Sequence, residues 1–156
     1  MLHRGTTNMA NDTDTKLKAL LDKYERSQDA DKETARRLSA EREEFDRNFK
    51  AAVQDVIWPA AQPIIDSLKA RGHHVEVKPE IGDMITISIL PKGSRHPSLL
   101  SFRPNLGEKS VLILGQNVAG KRGSTSGPRG EYPLTQLTKE AVEKELMSVV
   151  SEIFEV

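Results

Sequence analysis

Residues 42–72 read REEFDRNFKAAVQDVIWPAAQPIIDSLKARG, and this stretch decides how the rest of the chain is assembled. Phe45, Phe49, Ala52, Val53, Val56, Ile57, Ala60, Ile64, Ile65 and Leu68 recur at steps of three and four, the period of a helix with one buried face. Lys69 and Arg71 fall in the last turn, where the helix dipole favours cations. Gly72 follows, where a left-handed residue ends a helix. The spacing predicts a helix over 42–71. Pro59 and Pro63 disturb it, since each removes one backbone hydrogen bond and crowds the preceding turn, at about 3 kcal/mol in a regular helix. A kink or a restart is expected near Trp58, and Pro59 suits the first position of a second helix.

Upstream, the same period continues. Leu17, Leu21, Tyr24, Ala35, Leu38, Phe45, Phe49, Ala52 and Val56 fall on two seven-residue series, interrupted by Gln28, Asp31 and Arg42. Residues 12–71 hold 12 basic and 13 acidic side chains, the mixed charge of a helix with little tertiary cover. A rod of sixty residues would extend about 90 Å at 1.5 Å each, far beyond a small domain. It must therefore fold back, with a turn near 27–33 where SQDADKET offers caps, or pair with another chain. Pairing through residues 12–41 is the favoured expectation, with Leu17, Leu21, Tyr24, Leu38, Phe45 and Phe49 as the contacts of a coiled coil. Residues 1–11 are small, polar and aperiodic and are expected to form a disordered leader.

Downstream of Gly72 the period changes from helical to alternating. HHVEVKP (73–79) and MITISILP (84–91) each set apolar against polar residues and predict an antiparallel hairpin turning at 79–83. Residues 99–103 give a third strand, and a turn at 105–109, with Gly107 supplying positive φ, leads to a fourth at 110–115. That strand contains Val111, Leu112, Ile113 and Leu114, apolar on both faces, so two covers are expected. One is a C-terminal helix, 138–155, with Thr138 as N-cap and a stripe of Val142, Leu146, Val149, Val150, Ile153 and Phe154. The other is the 42–71 helix or a second subunit. The resulting fold class is α+β, a long kinked N-terminal helix, a four-stranded antiparallel meander over 73–118 and a final helix, with 42–156 as the folded domain. The order of elements, with Tyr132-Pro133 before the last helix, resembles the coiled-coil-plus-RWD layout of some adaptor proteins. Leu137 stands where that family's YPxxxP pattern has its second proline, and the resemblance carries no function across.

Composition narrows the chemistry. The 156-residue chain has no cysteine, so disulfides and thiolate metal sites are excluded. It has no signal-like apolar segment and no run long enough to cross a membrane, which leads to the expectation of a cytoplasmic protein. Formal net charge is 0, but from 92 to 130 seven basic residues face the single acid Glu108, whereas 131–156 carry six glutamates against Lys139 and Lys144. The segment AGKRGSTSGPRGE (119–131) is read as a basic, glycine-rich loop in which Lys121, Arg122 and Arg129, with Arg95 and Arg103 nearby, are candidates for holding an anion or a nucleic-acid backbone. The run Gly115 to Lys121 has the G-x-x-x-x-G-K spacing of a phosphate loop. Arg122 replaces the required Ser or Thr, and no helix-forming sequence follows. His73 and His74 are adjacent on a strand and cannot share one metal, and His96 has no carboxylate near it in sequence. No catalytic set, metal or cofactor is implied. The expectation is a non-enzymatic adaptor that self-associates through its helix and binds a protein partner, with anion or nucleic-acid binding through 119–131 as the alternative.

Overall fold

The computed structural model describes residues 2–155, with side chains from residue 11 onward. The chain is α+β: helix α1 (Leu2–Ala52), one π-turn (Val53–Ile57), α2 (Trp58–Ala70), strands β1 (His74–Pro79), β2 (Ile85–Leu90), β3 (Ser98–Asn105), β4 (Ser110–Gly120) and β5 (Gly123–Pro133), and α3 (Lys139–Phe154). It divides into two units, Met1–Glu43 and Glu44–Val156.

The first unit is helical from Leu2 onward. The backbone is already helical at Leu2, where an irregular leader over 1–11 is expected, and it passes 27–33 without a turn. Within that stretch the Thr34 hydroxyl donates back to Ala30 C=O (2.9 Å), the bond a hydroxyl makes inside a continuing helix. Exposed ion pairs, Lys16–Asp12 and Arg36–Glu33, both at 3.3 Å, decorate the surface. Such pairs contribute about 0.3–0.5 kcal/mol each.

In the second unit Phe45, Phe49, Val53, Ile57, Ala61 and Ile65 are buried at successive steps of four. Four residues sweep about 400° of an ideal helix, so such a stripe drifts by about 40° per step. The π-turn takes up about half of the drift accumulated over the five steps: Trp58 N–H donates to Val53 C=O, five residues back, and the widened turn absorbs one extra residue, about 100°. It also lies immediately before Pro59, which sits in the first turn of α2 where its missing N–H and its ring do least harm. The expected kink is thus realised as a π-turn with right-handed backbone on both sides, Ala52 at φ −64° and Trp58 at φ −61°. The exit of α2 is a Schellman motif. His73 N–H donates to Leu68 C=O (3.1 Å), Gly72 N–H donates to Lys69 C=O (3.0 Å), and Gly72 takes φ +92°.

The sheet is an antiparallel meander in the order β1-β2-β3-β4-β5, five strands where four are expected. The stretch 119–131, read from sequence as a loop, is the end of β4, a turn at Lys121-Arg122 and most of β5. Neither turn residue takes positive φ. Gly123 does, at +116°, a conformation that glycine adopts without a Cβ penalty. The turn between β3 and β4 also differs from expectation, since Lys109 (φ +50°), not Gly107, supplies its left-handed residue.

Register places Val75, Ile87, Leu100, Phe102, Val111 and Ile113 on one face, and all are buried with α2 and α3 in one core. Leu137, Val142, Leu146 and Val149 complete it, and Thr138 Oγ1 caps α3 by accepting from Ala141 N–H at 3.2 Å. The two covers expected for β4 are therefore side by side on the same face. Leu112 and Leu114 point to the other.

Candidate functional site

Strand register brings Lys92, Arg95, Lys121 and Arg122 to one end of the sheet. The β2–β3 connection, 91–97, leaves β2 beyond the His74–Leu90 pair and enters β3 at Ser98, while β3 pairs with β4 only as far as Gln116. Residues 118–125 therefore run past the start of β3 as a two-stranded ribbon with Lys121 and Arg122 exposed at its tip. Lys92, Arg95 and His96, all exposed, belong to the connection beside it. The acids of the strand connections, Glu80, Asp83 and Glu108, sit in the turns at the opposite end.

Between the ribbon and the connection lies a cleft of about 420 Å³ lined by His96, Pro97, Leu99, Asn117, Ala119 and Ser124. Its walls are tied together by Ser98, whose hydroxyl donates to Asn117 C=O (3.2 Å) and accepts from Ala119 N–H (2.9 Å). A bulge between Gly115 and Val118 bends β4 there, with Asn117 at φ +51° and its N–H donating to Ser126 Oγ at 3.0 Å. The ribbon is consequently braced at its root, and its charges are carried on a defined arm.

Arg129 leaves the candidate set. A second bulge, between Ile113 and Leu114, accommodates it, and its guanidinium pairs with Glu152 of α3. Gly115 makes this possible, because a Cβ there would stand 2.5 Å from Arg129 Nε. The excess of basic residues in 92–130 and of acids in 131–156 is partly cancelled through this bond. One strand pair along, Tyr132 OH donates to Glu145 Oε1 at 2.7 Å. That hydrogen bond, with burial second, raises the phenol above its ordinary value of 10.0.

Arg103 is also separate from the cleft. It is exposed near the far end of β3, opposite Leu112, on the face of the sheet that α2 and α3 do not cover. On the edge of the same face, Glu76 lies between His74 (2.8 Å) and Lys78 (3.1 Å). The His74 hydrogen bond, then Lys78, holds its carboxyl below the usual range. His73 points elsewhere, with Nδ1 accepting from Lys92 N–H (3.0 Å) and its ring 4.7 Å from that of Phe154. Among the described residues no group of three or more His, Cys, Asp or Glu side chains is placed to hold a metal ion.

The helical residues divide by unit. Leu17, Leu20, Leu21, Tyr24 and Leu38 are 50–64% exposed, so the stripe of the Met1–Glu43 unit has no cover from the described residues. Phe45 and Phe49 differ. Both are buried in the Glu44–Val156 unit, Phe49 within the main core, and they serve their own chain where coiled-coil contacts are expected of them. Leu20 is missing from the expected set because it lies off the two seven-residue series, though it adjoins Leu17 and Tyr24 on the helix surface.

No family model, curated protein or solved structure matches this chain. No described helix is long and apolar enough to cross a membrane.

Proposed function

We propose that this chain is a non-catalytic binding module that self-associates through its N-terminal helix and presents the basic end of its sheet to a protein partner. The observation carrying this reading is the stripe of large apolar side chains, Leu17, Leu20, Leu21, Tyr24 and Leu38, each at least half exposed on a highly charged helix. Burying a leucine side chain is worth about 1.5–3 kcal/mol, so a second copy paired along this stripe recovers a large driving force. Sedimentation of the full chain tests it. The parent is expected to run as an oligomer and Leu17→Lys/Leu21→Lys at a lower mass, with unfolding of the α+β unit unchanged by Trp58 fluorescence. A parent that stays monomeric across the accessible concentration range refutes the reading.

A second reading is favoured by the shape of the ribbon. A two-stranded β-ribbon fits the major groove of a nucleic-acid duplex, and Lys121 and Arg122 sit at its tip for phosphate contact. Retention on DNA that falls with salt and disappears in Lys121→Glu/Arg122→Glu supports this alternative. Retention that ignores those two changes refutes it.

A further inference from the structure

The open face of the sheet bears a self-complementary pattern. Within the Glu44–Val156 unit α2 and α3 share the other face, and Leu90, Leu99, Leu112 and Leu114 lie outside the core they form. Register sets Leu112 of β4 between Arg103 of β3 and Glu131 of β5, so one cross-strand row reads cation, apolar, anion. In the next row Leu114 stands between Ser101 and Pro128. Thr86, Ser88 and Ser101 are small and buried between these larger side chains, and Thr86 and Ser101 satisfy one another at 2.8 Å. The surface is therefore low in relief, with the Thr86 and Ser101 hydroxyls already bonded to one another.

We propose that this face docks a second copy of the same chain, sheet on sheet, about a two-fold axis running along β4. Rotation about that axis stacks Leu112 and Leu114 on their own mates. It also carries each copy's Arg103 over the other's Glu131, so that both charges of the row are matched twice. Glu131 keeps its orientation because Ser110 Oγ (2.6 Å) and Asn105 Nδ2 (3.4 Å) already donate to it. Two sheets packed face to face keep their strands within about 30° of each other, which preserves the match close to the axis. With the axis on β4, only β3, β4 and β5 lie over strands of the other copy, and three strands at about 4.8 Å spacing with some six residues of overlap give a projected face of about 300 Å². That places the contact among small, reversible interfaces, below the roughly 800 Å² per partner of a standard one.

This surface is distinct from the helical stripe, so the test begins from the full chain carrying Leu17→Lys/Leu21→Lys. Sedimentation equilibrium of that chain is expected to show a reversible dimer. Arg103→Glu alone and Glu131→Arg alone each place like charges opposite one another, and each is expected to weaken the dimer by about tenfold or more. An equimolar mixture of the two single variants restores both pairs, because one chain then carries two acids and the other two arginines, and its association returns to within about threefold of the reference. Leu112→Lys abolishes association. The inference is overturned if the reference chain is monomeric at its highest soluble concentration, if the single variants associate as the reference does, or if the mixture gains nothing over its components. A monomeric reference with an oligomeric parent leaves the helical reading standing, whereas a reference that keeps the parent's mass removes it.

Discussion

Replacing Gly115 by alanine tests how Arg129 is held. Gly115 does not take positive φ, so alanine suits its backbone and in an open site would gain about 0.5–1 kcal/mol by restricting the unfolded chain. Here the new methyl would meet Arg129 Nε at 2.5 Å and Cδ at 3.3 Å, with Val118 Cγ2 at 3.1 Å. Moving the arginine aside incurs an overpacking cost of about 1–3 kcal/mol. It also breaks the pair with Glu152, which contributes no more than about 1 kcal/mol because the Glu152 side chain is 41% exposed. The net expectation is a loss of about 2 kcal/mol. In an Arg129→Ala background only the Val118 contact remains, and the same change is expected to be close to neutral, a coupling of about 2 kcal/mol between the two positions. Urea unfolding followed by the single tryptophan, Trp58, reads this directly. With a slope of about 1–2 kcal/mol per molar, the parent midpoint falls by about 1–2 M on Gly115→Ala and barely moves in the Arg129→Ala series. Equal losses in both backgrounds would refute the account of why position 115 is glycine.

Three further outcomes follow from local geometry. Tyr132 binds its proton more tightly in the folded chain, so the stabilisation it brings is complete below its unfolded value and is lost as pH rises through the raised folded one. In a Tyr24→Phe chain, ultraviolet titration should place the remaining phenol above 10.0, and Glu145→Gln should bring it down. Thr138→Ala removes the acceptor for Ala141 N–H and should cost about 1 kcal/mol in urea unfolding, with Thr138→Asn close to parent. Gly72→Ala has room, its Cβ being 3.6 Å from Lys92 Cδ, so any loss comes from φ +92° alone, about 1–2 kcal/mol, and a neutral result would contradict the left-handed cap.

Most of the fold was legible because burial and period coincide. β2 alternates Ile85, Ile87 and Ile89 against Thr86 and Ser88, and the pattern stands out because one side faces a core. β5 has no such signal. Gly127, Pro128 and Gly130 are poor strand formers, and as an edge strand it pairs only with β4. Its pairing is imposed by the two-residue turn and by Arg129 and Tyr132 reaching across to α3, which are long-range contacts that no local window contains. The same blindness put Arg129 among the anion ligands. Its partner Glu152 is twenty-three residues away in the chain, and only the register of β5 makes them neighbours.

The π-turn shows the opposite relation, a feature latent in spacing that composition hid. Phe45, Phe49, Val53, Ile57, Ala61 and Ile65 lie at strict steps of four, a period that an unbroken α-helix cannot keep facing one core for twenty residues. Some insertion was required between 45 and 65. The proline pair drew attention to residue 59 as the place of disturbance, and the chain accommodates Pro59 just after the π-turn, with right-handed backbone continuing through Ile57 and Trp58. The mismatch between a period of 4 and one of 3.6 is reduced by one residue just before it, in the widened turn that precedes Pro59. Phe45 and Phe49 belong to this buried series, which is why they turn inward to their own unit, while Leu17, Leu21 and Tyr24, spaced by four and three, and Leu38, fourteen residues further on, lie exposed on the first unit.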